Sequence, residues 1–124
     1  MVGWPRMALA SPNKGHMALA DLESAGLIGQ LVTQNVDCLH QRAGQRALID
    51  MHGSLDRVLC LDCDALLPRT QVQQWLKEKN PCIEGHMAQM RPDGDADLAD
   101  ELIANVQVPQ CPHCAGVLKP DVVF

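Results

Sequence analysis

The sequence predicts an α/β fold: a parallel-sheet repeat followed by a small, metal-held module. Three observations carry that expectation. Leu31-Val32 is an apolar run that ends in the polar cluster Thr33-Gln34-Asn35-Val36-Asp37. Such a cluster belongs at the carboxyl end of a strand, where open α/β sheets bind ligands. The surrounding segment reads strand, helix, strand, the repeat that builds a parallel sheet. Two Cys-x-x-Cys pairs, Cys60/Cys63 and Cys111/Cys114, then bracket a stretch longer than a minimal metal ribbon needs, so helices are expected between its halves.

Met1 to Ser11 is short and mixed, with turn signals at Trp4-Pro5 and Ser11-Pro12-Asn13. From Asn13, a good N-cap, Met17, Ala20 and residues 21–24 continue an amphipathic helical repeat that Gly26 stops. Leu27 to Thr33 reads as a buried strand, weakened by Gly29 and Gln30. Val36, Leu39, His40 and Ala43 then fall on one face of a short helix ended by Gly44. Leu48 to His52 is a second short strand, closed by Gly53. Val58 to Cys63 is a strand running into a tight turn, and Thr70 to Lys79 a helix with Val72, Trp75 and Leu76 inward. Residues 80–95 are loop-like, Ala96 to Ala104 is expected to be helical with Leu98, Leu102 and Ile103 on one face, and Val117 to Phe124 reads as a turn into a last strand.

At 124 residues the chain is one domain's worth of sequence. Its 47% apolar content can build a core, but Trp4, Trp75 and Phe124 are the only aromatics, so Leu, Val, Ala and Met must fill it. A net charge of −5 with no basic run argues against nucleic acid or an anionic membrane as the main partner. No apolar stretch approaches the roughly 20 residues of a membrane helix, and the N-terminus lacks a signal-peptide pattern. In the soluble, reducing setting thus expected, six cysteines favour metal binding or burial over disulfides.

Each Cys-x-x-Cys knuckle lets two thiolates converge on one ion while backbone N–H groups face the sulfurs. Four thiolates complete a tetrahedral Zn²⁺ shell and leave no open position, so the expected ion is structural. The competing reading is two redox pairs or buried thiols; neither pair clearly opens a helix, as a thioredoxin-type site would require. Cys38 reads as a small, partly buried residue, and Cys82 lies in a loop with no metal partner at useful spacing. His113 sits in a corner already filled by two cysteines and is expected to be exposed. His16 and His40 fall on helices as structural histidines, and His86 in a solvated loop.

Gln34, Asn35, Asp37 and His52 form a polar, titratable set. Asn and Gln both donate and accept hydrogen bonds, which suits an amide or a sugar hydroxyl. A histidine is the natural proton acceptor near neutral pH. The same residues also fit an ordinary turn after a strand, with His52 a satisfied core residue.

The run Thr33 to Gly44, TQNVDCLHQRAG, resembles the sirtuin signature TQNxDxLHxxAG and matches it at every specified position. Sirtuins are NAD-dependent protein deacylases. Pro12-Asn13-x-x-His16-x-Ala18-Leu19 looks like the family's helix before that signature, and His52-Gly53 like its catalytic histidine and glycine. Leu118 to Phe124 resembles the strand leading into the acyl-lysine tunnel. Gly3-Trp4-Pro5 and Arg91-Pro92-Asp93-Gly94-Asp95 are similar to the class II branch, which includes lipoamidase and ADP-ribosyltransferase activities.

The resemblance implies a partial Rossmann-like parallel sheet domain over residues 1–57, a zinc-ribbon module over 58–118 and a return strand over 119–124. It implies NAD and one structural Zn²⁺, the latter held by Cys60, Cys63, Cys111 and Cys114. Gln34, Asn35, Val36 and Asp37 would line the nicotinamide and ribose pocket, and His52 would be the general base. Val123 and Phe124 would pair with an acylated-lysine protein or peptide. The implied reaction transfers the acyl group to ADP-ribose and releases nicotinamide. ADP-ribosyl transfer begins with the same loss of nicotinamide and stays open, as does lipoamidase activity. The family's glycine-rich diphosphate loop and adenosine-side strands have no counterpart, so the chain is expected to be truncated at both ends. A catalytically incompetent fragment or a structural zinc-binding module is therefore the competing reading. A bacterial cytoplasm is the expected compartment, with the mitochondrial matrix as the alternative.

Overall fold

A computed structural model describes residues 3–81, 89–90, 96–97 and 103–123. Its first helix, α1 (Trp4–Leu9), arises where the sequence suggested only a turn. Pro5 lies in the first turn, where its missing N–H has no intrahelical partner to lose. Helix α2 (Lys14–Ser24) begins as expected at Asn13, whose side chain accepts from the N–H groups of Gly15 and His16. His16 Nδ1 accepts in return from the Asn13 N–H at 3.3 Å, a reciprocal cap in which histidine replaces the usual Glu or Gln. The helix closes on Gly26 at φ 72°, with Leu27 N–H donating to Leu22 O and Gly26 N–H to Glu23 O, both at 2.9 Å. That pair of bonds requires a left-handed residue at Gly26.

Strand β1 (Leu31–Thr33) is shorter than the apolar run suggested. Leu31 is where the backbone reaches a partner, donating to Ala47 O at 2.8 Å. Helix α3 (Leu39–Arg42) is also shorter than its apolar periodicity. Asp37 accepts from the Leu39 N–H at 2.9 Å and Cys38 adopts φ 59°, so the chain turns before it coils. Strand β2 (Leu48–Asp50) runs parallel to β1 in the register Leu31↔Leu48, Val32↔Ile49, Thr33↔Asp50. The β1–α3–β2 unit is thus the parallel repeat read from the sequence, and His52 falls in the turn beyond β2 rather than within it.

Strand β3 (Gly53–Cys60) continues without a break from the motif side into the first knuckle. It is followed by β4 (Leu66–Pro68) and α4 (Arg69–Lys79). Strands β5 (Gln89–Met90) and β6 (Ala96–Asp97) form a small antiparallel pair. Ala96 and Asp97 are therefore strand, not the start of the expected helix: backbone pairing with Gln89 and Met90 replaces helical bonding there. Residues 98–102 of that expected helix, the Arg91–Asp95 run, Cys82 and His86 lie outside the described residues. The last strand, β7 (Leu118–Val122), joins β4 and β3 in an antiparallel sheet of order β4-β3-β7. The core gathers on this sheet: Val58, Cys60, Leu67, Val72, Cys111 and Leu118 are buried, with Ala65, Trp75 and Leu76 packed against them. Val72, Trp75 and Leu76 thus form the inward face of α4 that their spacing predicts.

Candidate active site and metal centre

The carboxyl ends of β1 and β2 face the same way, and short backbone bonds gather distant segments there. Met51 N–H donates to Thr33 O at 2.9 Å, joining the two strand ends. Thr33 is buried and its Oγ1 accepts from the Asn35 N–H at 3.0 Å, shaping the start of the motif loop. Val36 O accepts from the Leu55 N–H at 2.9 Å, and Cys38 Sγ lies 2.9 Å from Ser54 Oγ. His52 O accepts from the Val123 N–H at 3.0 Å, which brings the end of β7 to the same place. Gly53, at φ 81°, packs so closely on β7 that an added Cβ would collide with the Asp121 carbonyl oxygen.

Residues 33–38, 51–55 and 121–123 therefore converge at one edge. Gln34, Asn35 and Val123 are exposed there, while Val36, Asp37 and His52 are half-buried. Phe124, expected beside Val123, lies outside the described residues. Thr33 opens the signature run, but its role as a backbone tie, like those of Ser54 and the Leu55 N–H, is not readable from the sequence. Only the position of Ser54 directly after His52-Gly53 hints at one. Burial pushes the Cys38 thiol above its ordinary pKa, which disfavours a reactive thiolate.

The four cysteines expected to bind metal come together, their sulfurs all within 4.8 Å of one another. Cys60 and Cys114 sulfurs are 3.5 Å apart, and Cys63 and Cys111 sulfurs 3.8 Å. A tetrahedral zinc with Zn–S near 2.3 Å needs sulfurs about 3.8 Å apart, so the donor set fits one ion. The two knuckles repeat one backbone pattern. Cys60 N–H donates to Ala65 O and Asp64 N–H to Cys60 O; Cys111 N–H donates to Gly116 O and Ala115 N–H to Cys111 O. Asp64 and Ala115, each just after a knuckle's second cysteine, are both left-handed, at φ 57° and 59°. The knuckles are stitched together by Leu61 N–H donating to Val117 O and Val117 N–H to Asp62 Oδ2. The backbone N–H of Asp62 lowers the Cys60 thiol to about 7, whereas hydrogen bonding to Cys63 raises Cys114 to about 12. Bare thiols in this cluster thus share protons unequally. A bound divalent cation would take the place of those protons, with Cys60, Cys63, Cys111 and Cys114 holding it as thiolates.

The Sir2 family model matches residues 4–124. The chain belongs to the Sir2 family. It is 54% identical to an NAD-dependent protein deacetylase of Xanthomonas campestris pv. campestris over 124 residues, all of this chain and 42% of the relative. It is 47% identical to the human mitochondrial NAD-dependent protein lipoamidase sirtuin-4 over 123 residues, 99% of this chain and 39% of the relative. Among solved structures, Sir2 with a p53 peptide and NAD+ matches with a TM-score of 0.68 and 30% identity, covering 96% of this chain and 38% of that one. This Sir2-family chain thus spans about two fifths of the length of the curated relatives it matches. The match bears out the sirtuin resemblance and the α/β fold, and the cluster of Cys60, Cys63, Cys111 and Cys114 suits one structural zinc ion. Among the described residues no helix is long and apolar enough to cross a membrane.

Proposed function

We propose that this chain carries the nicotinamide side and the peptide side of the active site of an NAD-dependent protein lysine deacylase, beside one structural zinc ion. The observation that carries the reading is the convergence of the motif loop, His52-Gly53 and the end of β7 at one edge. Exposed Gln34 and Asn35 amides beside the half-buried Asp37 carboxylate offer donors and acceptors of the kind a carboxamide and sugar hydroxyls need. Bound NAD supplies an electrophilic ribose carbon and a nicotinamide leaving group. Asn35 and Asp37 orient ribose and carboxamide, Gln34 serves the ribose side, and Val36 lines the same segment. His52 accepts a proton from a ribose hydroxyl. Val123, continued by Phe124, pairs its backbone with the acylated-lysine peptide as an added strand. Relatives named as deacetylases, and a Sir2 structure with acetylated peptide, support the substrate class.

The sirtuin-4 relative supports lipoamide cleavage as a second reading of the same site. The relatives from Xanthomonas support a bacterial setting, within which the cytoplasm is our reading, and the human relative's mitochondrial name supports a mitochondrial alternative. Residues 1–57 and 119–124 are proposed to belong to the nucleotide-binding part, and 58–118 to the zinc module. The test is nicotinamide release from NAD by the full-length protein with acetyl-lysine and lipoyl-lysine peptides in separate arms. We expect His52→Ala to lower turnover by about 10²-fold or more, the scale of a general base. Undiminished turnover would remove His52 from its role; absence of release with either peptide from the wild type would overturn the deacylase reading.

A further inference from the structure

Between the motif loop and the peptide-side strand, β3 carries an irregularity. Ser54 pairs with Asp121 and Val58 with Pro120, so Leu55, Asp56 and Arg57 have no partner on β7. This bulge releases backbone groups from the β3–β7 ladder, and two of them are used at the site. Leu55 N–H donates to Val36 O of the motif loop at 2.9 Å, and Asp56 N–H to Ser54 Oγ at 3.2 Å. Pro120, opposite the bulge, has no N–H with which to restore the ladder. β3 therefore bows away from β7 between Ser54 and Val58, at the point where it turns to hold the motif loop, while Asp121 and Val122 stay paired with Ser54 and Gly53.

A side-chain bridge from the bowed segment of β3 reaches back to β7. The Arg57 guanidinium donates to Asp121 Oδ2 through Nε at 2.9 Å, with a second nitrogen at 2.8 Å from the same oxygen. Immediately beyond Asp121, Val122 pairs with Gly53 and Val123 N–H binds His52 O. We propose that Arg57 and Asp121 are a positioning pair: across the bulge they keep the end of β7 in register with His52, and so set where the acyl-lysine peptide lies. The pair touches no reacting atom. It deepens the deacylase reading and rests on it for the identity of the peptide ligand.

The pair predicts selectivity between the two substrates. The motif loop is anchored through Leu55 to Val36, Met51 to Thr33 and Ser54 to Cys38 rather than through the ion pair, so NAD use should be spared. In the full-length protein, Arg57→Met and Asp121→Asn should each raise the KM for an acetyl-lysine peptide about fivefold with the KM for NAD unchanged, a split that uniform loss of folding does not produce. The charge swap Arg57→Asp with Asp121→Arg should recover part of the peptide KM. Amide exchange without ligand gives a readout independent of activity: either single variant should speed exchange at Val123 and leave Met51 unchanged. Faster Val123 exchange with no deacylation in the wild type would leave the pair in place and sink the deacylase reading. Unchanged Val123 exchange, or a parallel rise in both KM values, would overturn the positioning role. A solvent-accessible ion pair contributes little to global stability; Arg57 is 47% exposed and Asp121, half-buried, 25%. Both single variants should therefore stay folded.

Discussion

The cysteine module encloses a cluster of apolar side chains, whereas the parallel β1–β2 pair has no such cluster among the described residues. Val58 is 2% exposed and Cys60 is fully enclosed, but Val32 and Ile49, opposite each other in the β1–β2 register, are 54% and 45% exposed. Leu27 and Met51 beside them are more exposed still. The first region has a core and a metal-fitting cluster that can stabilise it. The second is positioned by polar ties: Glu23 to the loop before β2, Met51 to Thr33, and Leu55 to Val36. Damage to the module should act on folding, and damage to the parallel half should act on placement of the site.

The sharpest break in that contrast is loss of a metal ligand. Cys60→Ala removes a sulfur from the cluster and leaves a void in the core at once. Structural zinc supplies roughly 10–16 kcal/mol of apparent binding free energy in small modules. We therefore expect one zinc per chain by metal analysis in the wild type, and loss of both the ion and the cooperative melting transition in the variant. Zinc-free protein that melts as sharply as the wild type would remove the metal from the module's stability.

Gly53→Ala should come next, because it strikes the seam between the two regions. It places a Cβ against the Asp121 carbonyl in a residue held at φ 81°. A non-glycine residue in a strained backbone region costs of the order of 1–3 kcal/mol, and the backbone collision adds to it. Chemical denaturation should show a loss of about 2 kcal/mol or more. A stability change under about 0.5 kcal/mol, the range of an ordinary surface substitution, would show that β7 yields without cost.

The same contrast explains what the sequence made legible. Cysteine spacing disclosed the metal cluster because the chemistry needs those residue types at those intervals. Asn13 and Gly26 marked the ends of α2 because a cap and a left-handed stop are local requirements. Periodicity overextended α3, since Asp37 and Cys38 settle its start by side-chain bonding and a left-handed turn that hydrophobic spacing does not encode. Ala96 and Asp97 were misread because two residues paired with a remote pair carry no period at all. At the site, Gln34, Asn35, Asp37 and His52 could be named, but the bulge that brings Leu55 to Val36 and leaves Arg57 to bridge to Asp121 depends on pairing between segments more than 60 residues apart in part. Ala115 in a left-handed conformation has no sequence signal; its conformation follows from the knuckle's repeated hydrogen bonds.

The smallest expected effect tests whether a polar tie holds the parallel half. Glu23, at the end of α2, accepts the Arg46 N–H at 2.9 Å and the Ala47 N–H at 2.5 Å. Those backbone bonds, Arg46 first and Ala47 second, hold its carboxyl below the ordinary value of 4.5. A carboxyl lowered on folding stabilises the fold above its unfolded value, and that contribution fades as pH falls through the lowered folded value. Glu23→Gln keeps one acceptor oxygen but removes the charge. Amide exchange at Arg46 and Ala47 should therefore be faster in Glu23→Gln than in wild type at pH 7, with the difference unchanged down to about pH 5 and shrinking below it. Thermal melts of the whole chain would mix this tie with acid release of metal from the cysteines, so the local amides are the cleaner measure. A difference that persists undiminished to pH 3 would show that side-chain shape, not the carboxylate charge, fixes the loop before β2.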